Sequence, residues 1–230
     1  MLEKIGHDRP LPELIAEEIV DLIIEKKLQP GNKLPSEAEL ASSLGVGRST
    51  LREAIRILIS KNIVMIKRGL GTYVSEKMGV TDDPLGFIFI QDKKKLLIDT
   101  LDIRLMIEPK IAEVAALMAT ESEIKNMERL CDEVENLILS GENHIEKDIE
   151  LHTQIAKSSQ NLVISKLLPI INGSIPIFID VTKSALKNET ISTHRAVVQA
   201  IRDRDEKKAF EFMEKHILYN KTLIESLSIE

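Results

Sequence analysis

The chain has 230 residues, of which 43% are hydrophobic and 30% are charged, and its formal net charge is −6. This length allows two compact domains, and the apolar content is high enough to bury a core, which excludes a disordered chain. No apolar run approaches the roughly 18 residues that a membrane-spanning helix needs. We therefore expect a soluble, intracellular protein, and the single cysteine, Cys131, cannot form an internal disulfide bond, which agrees with a reducing cytoplasm.

Three helices and a β-hairpin are predicted in the first third of the chain. Apolar residues recur at helical spacing over residues 12–27, and the turn-forming residues 29–32 end this first helix. Ser36 followed three residues later by Glu39 is a capping box, which begins a short second helix that ends near Gly45.

The third helix and the hairpin follow directly. The helix is predicted from about Gly47 to Lys61, and the two short β-like runs IVMIK and TYVSE are separated by RGLG, which is typical of a hairpin with a flexible tip. Helix, helix, tight turn, helix and hairpin is the order of a winged helix-turn-helix.

The remainder of the chain is helical in pattern. Breaks near residues 121, 140, 160, 187 and 203 divide it into about six helices, and Pro109 and Pro169 are expected to kink or interrupt theirs, as is Pro176. The predicted fold is therefore mostly α. We expect a winged helix-turn-helix DNA-binding domain over residues 1–76, a linker over 77–93 and an all-helical bundle over 94–230.

Positive charge is concentrated in the predicted third helix and the hairpin, although the chain is acidic on balance. Residues 47–68 carry six basic side chains and a single acidic one, Glu53. In a helix-turn-helix the first residues of this helix face bases in the major groove, while other basic groups hold phosphates. Arginine pairs with guanine, and Ser or Thr hydroxyls reach bases or phosphates. A solvated helix face is the alternative interpretation of the charge alone.

The segment LPSEAELASSLGVGRSTLREAIRILISKNIVMIKRGLGTYV resembles the DNA-binding domain of GntR-type bacterial repressors over its whole length. Together with the charge pattern, this resemblance implies that a double-stranded DNA operator is contacted by Arg48, Ser49, Thr50 and Arg52 in the third helix and by Arg68, Gly69, Gly71 and Thr72 in the wing. Ala38 stands where the family usually has an arginine, and Gly47 stands where Ser or Thr is common. Both departures leave the operator sequence open.

Four potential metal ligands lie on the apolar faces of three predicted helices. Asp148 and His152 are four residues apart and share one face, and His194 and His216 lie on the apolar stripes of two later helices. A lone histidine in such a position is normally a hydrogen-bonded core residue. An unpaired buried carboxylate, however, costs several kcal/mol, which a divalent cation offsets. Three nitrogens and one oxygen favour zinc, with nickel, cobalt or manganese as alternatives.

A second resemblance covers about residues 94–226. RLMIEPKIAEVAALMAT, DIELHTQIAKSSQN and THRAVVQAIRDRDEKKAFEFMEKHI are similar to the FCD effector domain of the FadR-like branch of the GntR family. The resemblance places the family's metal ligands on Asp148, His152, His194 and His216. It also implies that Arg104 reaches the carboxylate of a bound organic acid, with a solvated arginine or a structural ion pair as the alternative. His7 and His144 are predicted to lie at the surface.

These patterns together predict a metabolite-responsive transcription regulator rather than an enzyme. A small carboxylate bound near the metal would change operator affinity only through its different affinity for two arrangements of the protein. A homodimer is expected because twofold dimers read pseudo-palindromic sites. A metal-dependent enzyme stays open as an alternative because an Asp/His3 site with a free position can activate water. A direct metal sensor and a purely structural metal also stay open.

Overall fold

A computed structural model describes residues 9–76, 79, 83–174 and 186–227, so His7, Pro176 and residues 77, 78 and 80–82 of the predicted linker lie outside the described residues. The chain divides into two compact units, with the boundary between Pro84 and Leu85. Within the described ranges, no helix combines the length and the apolar character that crossing a membrane requires.

The first unit contains three helices and a two-stranded antiparallel sheet, in the order α1 (Leu11–Glu25), α2 (Glu37–Ser43), α3 (Arg48–Ser60), β1 (Val64–Lys67) and β2 (Gly71–Val74). The predicted winged helix-turn-helix is therefore confirmed. Helix α2 begins at the predicted capping box. The Ser36 hydroxyl accepts the N–H of Glu39 at 3.3 Å, and the Glu39 carboxylate accepts the N–H of Ser36 at 2.8 Å.

The hairpin tip requires glycine at two positions. Val64 pairs with Val74 at one end of the hairpin and Lys67 pairs with Gly71 at the other. Gly69 and Gly71 have φ angles of +73° and +117°, which side chains rarely tolerate. The RGLG sequence can therefore make this turn while the buried valines anchor the hairpin to the domain core.

The second unit contains six α-helices within its described residues, which agrees with the predicted number. These are α4 (Lys93–Met118), α5 (Glu121–Ser140), α6 (Ile145–Ser158), α7 (Ile164–Ile171), α8 (Lys187–Arg202) and α9 (Glu206–Ser226). Of the two outcomes expected at proline, a kink or an interruption, the interruption does not occur at two positions, because Pro109 lies inside α4 and Pro169 inside α7. Proline removes a single backbone donor, and packing of the helix on its neighbours outweighs this loss.

The helices of the second unit pack around one apolar core. Helix α9 lies along α4 and against α8, and α6 contacts both α4 and α5. Leu97, Ile124, Leu151 and Ile217 are at most 1% exposed in this core. Polar residues on the inward faces of α4, α6, α8 and α9 are thereby removed from water, and they must find partners inside the bundle.

Candidate metal centre and nucleic-acid interface

The four predicted metal ligands meet inside the second unit. Asp148 and His152 project from α6, His194 from α8 and His216 from α9, and each is at most 7% exposed. Each imidazole contributes one nitrogen to a group whose members lie within 4.8 Å of one another. The Asp148 carboxylate oxygens are 3.5 Å from His194 Nε2 and 4.0 Å from His152 Nε2. The sequence pattern therefore identified residues that do come together.

Hydrogen bonds fix the tautomers of two of the imidazoles. His152 Nδ1 lies 2.6 Å from Glu108 Oε2, and because a carboxylate only accepts, the Nδ1–H of His152 donates. The Thr193 hydroxyl gives its single proton to the backbone carbonyl of Glu189 at 2.6 Å, so it accepts from His216 Nδ1 at 2.8 Å. In both rings, Nε2 is therefore left with its lone pair.

The cluster fits a divalent transition metal. His152 Nε2 and both ring nitrogens of His194 are buried, and they have no hydrogen-bond partner among the described residues. Buried polar atoms are nearly always paired, so a group of such unpaired nitrogens indicates that an ion or a water molecule binds among them. Neutral imidazoles and one carboxylate are the donor set that zinc and its neighbours in the first transition row prefer.

Burial keeps two of the imidazoles neutral at physiological pH. It lowers the pKa of His194 to about 4, against the opposing attraction of Asp148. Burial also lowers the pKa of His216 well below its usual value, and the neighbouring His194 and His152 act in the same direction. A metal ligand must be deprotonated, so these environments prepare both rings to bind a cation.

We expect the metal-free protein to lose stability as the pH falls from about 6.5 to about 4. An unfolded histidine titrates near 6.5, whereas folded His194 stays neutral down to about 4. Between these two pH values the unfolded state binds more protons than the folded state. The stabilising contribution of each such histidine is therefore fully present above pH 6.5, and the free energy of unfolding falls by about 1.4 kcal/mol per pH unit for each such histidine as the pH decreases toward 4. Urea denaturation in the presence of a chelator measures this slope. His194→Gln should reduce the slope, and equal stability at both ends of the window in the native protein would contradict the expectation.

Arg104 lies beside the cluster, but its charge is already paired. It is 4% exposed in α4 and forms an ion pair with Glu108, one turn further along the helix. Its Nη2 is 3.4 Å from Glu108 Oε2 and 3.4 Å from His152 Nδ1. Burial favours a neutral Glu108, but Arg104 and His152 outweigh it and lower the pKa of Glu108 to about 2. The structure thus shows the ion pair that was the alternative interpretation of Arg104.

Sequence reasoning overlooked two residues that support the cluster, and it misplaced a third. Glu108 could have been suspected from its position four residues after Arg104, whereas only the structure shows that Thr193 contacts His216. The prediction that His144 lies at the surface is wrong, because it is 8% exposed. His144 precedes the first turn of α6, outside any helical stripe, so helical periodicity could not reveal its burial.

Replacing Thr193 by valine is expected to lower metal affinity roughly 10- to 100-fold, the range typical of lost partners to metal-bound histidines. Valine matches threonine in shape but cannot accept the proton of His216 Nδ1, so the ring is no longer held in the Nδ1–H form. Competition with a metal-binding dye measures the affinity. Thr193→Ser retains the hydroxyl and should stay near the native value. A valine variant with native affinity would show that this hydrogen bond has no influence on the metal.

The predicted DNA-reading residues occupy the accessible start of α3. Arg48, Ser49 and Arg52 are exposed and Thr50 is half-buried. Arg52 Nε lies 3.0 Å from the Glu37 carboxylate, and both side chains are substantially exposed. Such a surface ion pair contributes little to stability, so Arg52 can leave it for a phosphate or a base at small cost.

In the wing, the predicted contacts divide into exposed and buried residues. Arg68, Gly69 and Gly71 are exposed at the hairpin tip. Thr72 is 7% exposed, and its carbonyl accepts the N–H of Leu34 at 2.9 Å. Successive side chains of a strand point to opposite faces, and that of Thr72 is on the inner one. The Thr72 side chain therefore faces inward, which corrects the prediction that it contacts DNA.

Comparison with known proteins places both units in one family. The profile described as "Bacterial regulatory proteins, gntR family" matches residues 11–74, and that of the FCD domain matches residues 99–219, which is more than half of the chain. The chain belongs to the GntR family. It is therefore a transcriptional regulator with a DNA-binding GntR domain and an FCD effector domain, and not an enzyme.

The sequences of individual members of the GntR family match this chain along most of its length. The "Putative L-lactate dehydrogenase operon regulatory protein" of Escherichia coli K12 is 32% identical, over 91% of this chain and 86% of its own. The "Galactonate operon transcriptional repressor" of the same organism is 30% identical, over 80% of this chain and 83% of its own. The solved structure titled "Streptococcus agalactiae GntR" is 38% identical with a TM-score of 0.79, and the match covers 92% of this chain and 99% of that one.

Proposed function

We propose that this GntR-family member is a metabolite-responsive regulator, in which a small carboxylate bound beside a divalent metal changes operator binding. One observation carries the proposal. Buried imidazole nitrogens without hydrogen-bond partners among the described residues converge next to Asp148. The tautomers of His152 and His216 leave the lone pairs of their Nε2 atoms available to a cation, and that of His216 has only a 3.5 Å contact with Asn220 Nδ2. A bundle that only needed a stable core would have no reason to retain this arrangement.

Asp148, His152, His194 and His216 would hold the metal, with zinc as the first candidate and nickel, cobalt or manganese as alternatives. When bound, the ion supplies a positively charged centre that accepts a carboxylate oxygen of the ligand. The protein contributes the buried, water-poor surroundings, and Glu108 and Thr193 accept the hydrogen bonds from Nδ1 that hold the rings.

The names of the relatives support a small organic acid as the ligand. One is named for an L-lactate dehydrogenase operon and another for a galactonate operon. L-Lactate and galactonate are both hydroxy acids, and we propose the same chemical class for this protein. A carboxylate is also the anion that a metal held by neutral imidazoles and one acidic side chain would attract.

We further propose that a cytoplasmic homodimer reads a pseudo-palindromic duplex, since twofold dimers are usual among helix-turn-helix proteins. Arg48, Ser49, Thr50 and Arg52 would enter the major groove. Arg68 and the glycines of the wing tip would lie on the backbone. In this proposal residues 1–76 bind DNA, residues 94–230 bind the ligand and 77–93 connect them.

The proposal is tested by titrating the metal and the acid separately against operator binding. A duplex selected by the protein from a random library serves as the operator, and fluorescence anisotropy measures its affinity. We expect hydroxy acids to change the affinity of the metal-loaded protein and a chelator to abolish that response. An effect of metal alone, with no response to any acid, would instead establish a direct metal sensor. Operator binding that responds to neither would refute the proposal.

A further inference from the structure

We propose that the effector is a monoanion, because Glu108 cancels the charge of Arg104 beside the metal centre. This inference rests on the proposed function and adds the charge class of the ligand to it. Both side chains are at most 5% exposed, and the guanidinium engages both carboxylate oxygens through Nε and Nη2. The positive charge of Arg104 is therefore already paired with Glu108 and is not available to bind a second carboxylate of the ligand.

Few charged side chains are buried in the described part of the chain, so the net charge of the metal centre can be counted. Apart from histidines, the charged side chains that are buried among the described residues are Arg104, Glu108 and Asp148. They carry one positive and two negative charges, and metal-bound imidazoles are neutral. A divalent ion therefore brings the centre to a single net positive charge. One carboxylate neutralises this charge, whereas a dicarboxylate leaves one uncompensated negative charge in a buried site, which is costly.

The test compares acids that share a carbon skeleton and differ by one carboxylate. Butyrate is paired with succinate, and 2-hydroxybutyrate is paired with malate. Each is titrated by calorimetry into the metal-loaded full-length protein, and metal content is measured afterwards to exclude removal of the ion. We expect the monoanion of each pair to bind at least about tenfold more tightly, which corresponds to about 1.4 kcal/mol.

Three variants separate charge from structural damage. Glu108→Gln raises the charge of the centre by one and should shift the preference toward the dianion by about tenfold or more. Arg104→Gln lowers the charge by one and should weaken binding of both acids. The double variant Arg104→Gln/Glu108→Gln restores the native net charge and should again prefer the monoanion. All three variants break the same ion pair, so structural damage alone would change their preferences in the same direction.

The possible failures are distinguishable. If the native protein keeps its metal and binds succinate and malate as tightly as their partners, the monoanion inference is overturned while a carboxylate effector stands. If no acid of either charge binds to the metal-loaded protein, the carboxylate effector itself is refuted, and the inference falls with it. The comparison of monoanion and dianion affinities in the native protein tests the monoanion inference even if a variant does not fold.

Discussion

Replacing His194 by alanine is expected to abolish stable metal binding. The two ring nitrogens of His194 have no hydrogen-bond partner among the described residues, and Nε2 lies 3.5 Å from Asp148. Removal of a direct ligand should lower metal affinity by more than about 100-fold, because even an outer partner of a ligand is worth 10- to 100-fold. The metal-dependent part of the stability, about 2.7 kcal/mol at a metal concentration of 100 times Kd, should disappear. Elemental analysis and unfolding with and without chelator measure both effects.

His144→Ala is the matched control for this substitution. His144 is also buried in the second unit but is not part of the three-imidazole group. The His144→Ala variant should therefore retain the metal and the stabilisation that the metal confers. Native metal content in the His194→Ala variant, or equal losses in the two variants, would refute the assigned ligand set.

Replacing Arg48 by alanine should weaken operator binding roughly tenfold to 100-fold, since a bidentate arginine–guanine pair contributes about 1–3 kcal/mol of discrimination. Arg48 is exposed in the first turn of α3, where the side chains of a helix-turn-helix face the bases. Binding to unrelated duplexes should decrease less, so the sequence preference should relax. Anisotropy titrations with the selected operator and with a scrambled duplex, at one fixed salt concentration, measure the change.

Arg129→Ala provides the charge-matched control. Arg129 is exposed in α5 and pairs with Glu133 of the same helix, so its loss changes the net charge of the protein equally but leaves α3 intact. Operator affinity should stay near the native value. If the two variants lose the same affinity, net charge rather than base recognition explains the effect of Arg48.

The DNA-binding domain could be predicted almost completely because its signals are local. The capping box of Ser36 and Glu39 fixes the start of α2, and the positive φ angles at Gly69 and Gly71 explain why the hairpin tip contains glycine. Each signal spans four residues or fewer, so it can be read without knowledge of the tertiary fold. The inward side chain of Thr72 was missed because the register of a short strand determines which face is buried.

The convergence of the three buried imidazoles was predictable from the sequence, but the residues that support them were not. His152, His194 and His216 lie on apolar stripes, which must face the core and thus bring the rings together. The bond from His152 to Glu108 joins α6 to α4, and helical periodicity carries no information on which polar side chains meet across a bundle. The Arg104–Glu108 ion pair lies within α4 instead, and its four-residue spacing is visible in the sequence.

The affinity of the acid for the metal-loaded protein, measured with and without saturating operator DNA, tests the proposed regulation most directly. Linkage requires the two affinities to differ by the same factor by which the acid changes operator binding. We predict a difference of about 5- to 150-fold, the usual range of allosteric coupling. An acid that binds beside the metal with equal affinity in the presence and absence of operator would contradict the account, because it could not regulate DNA binding.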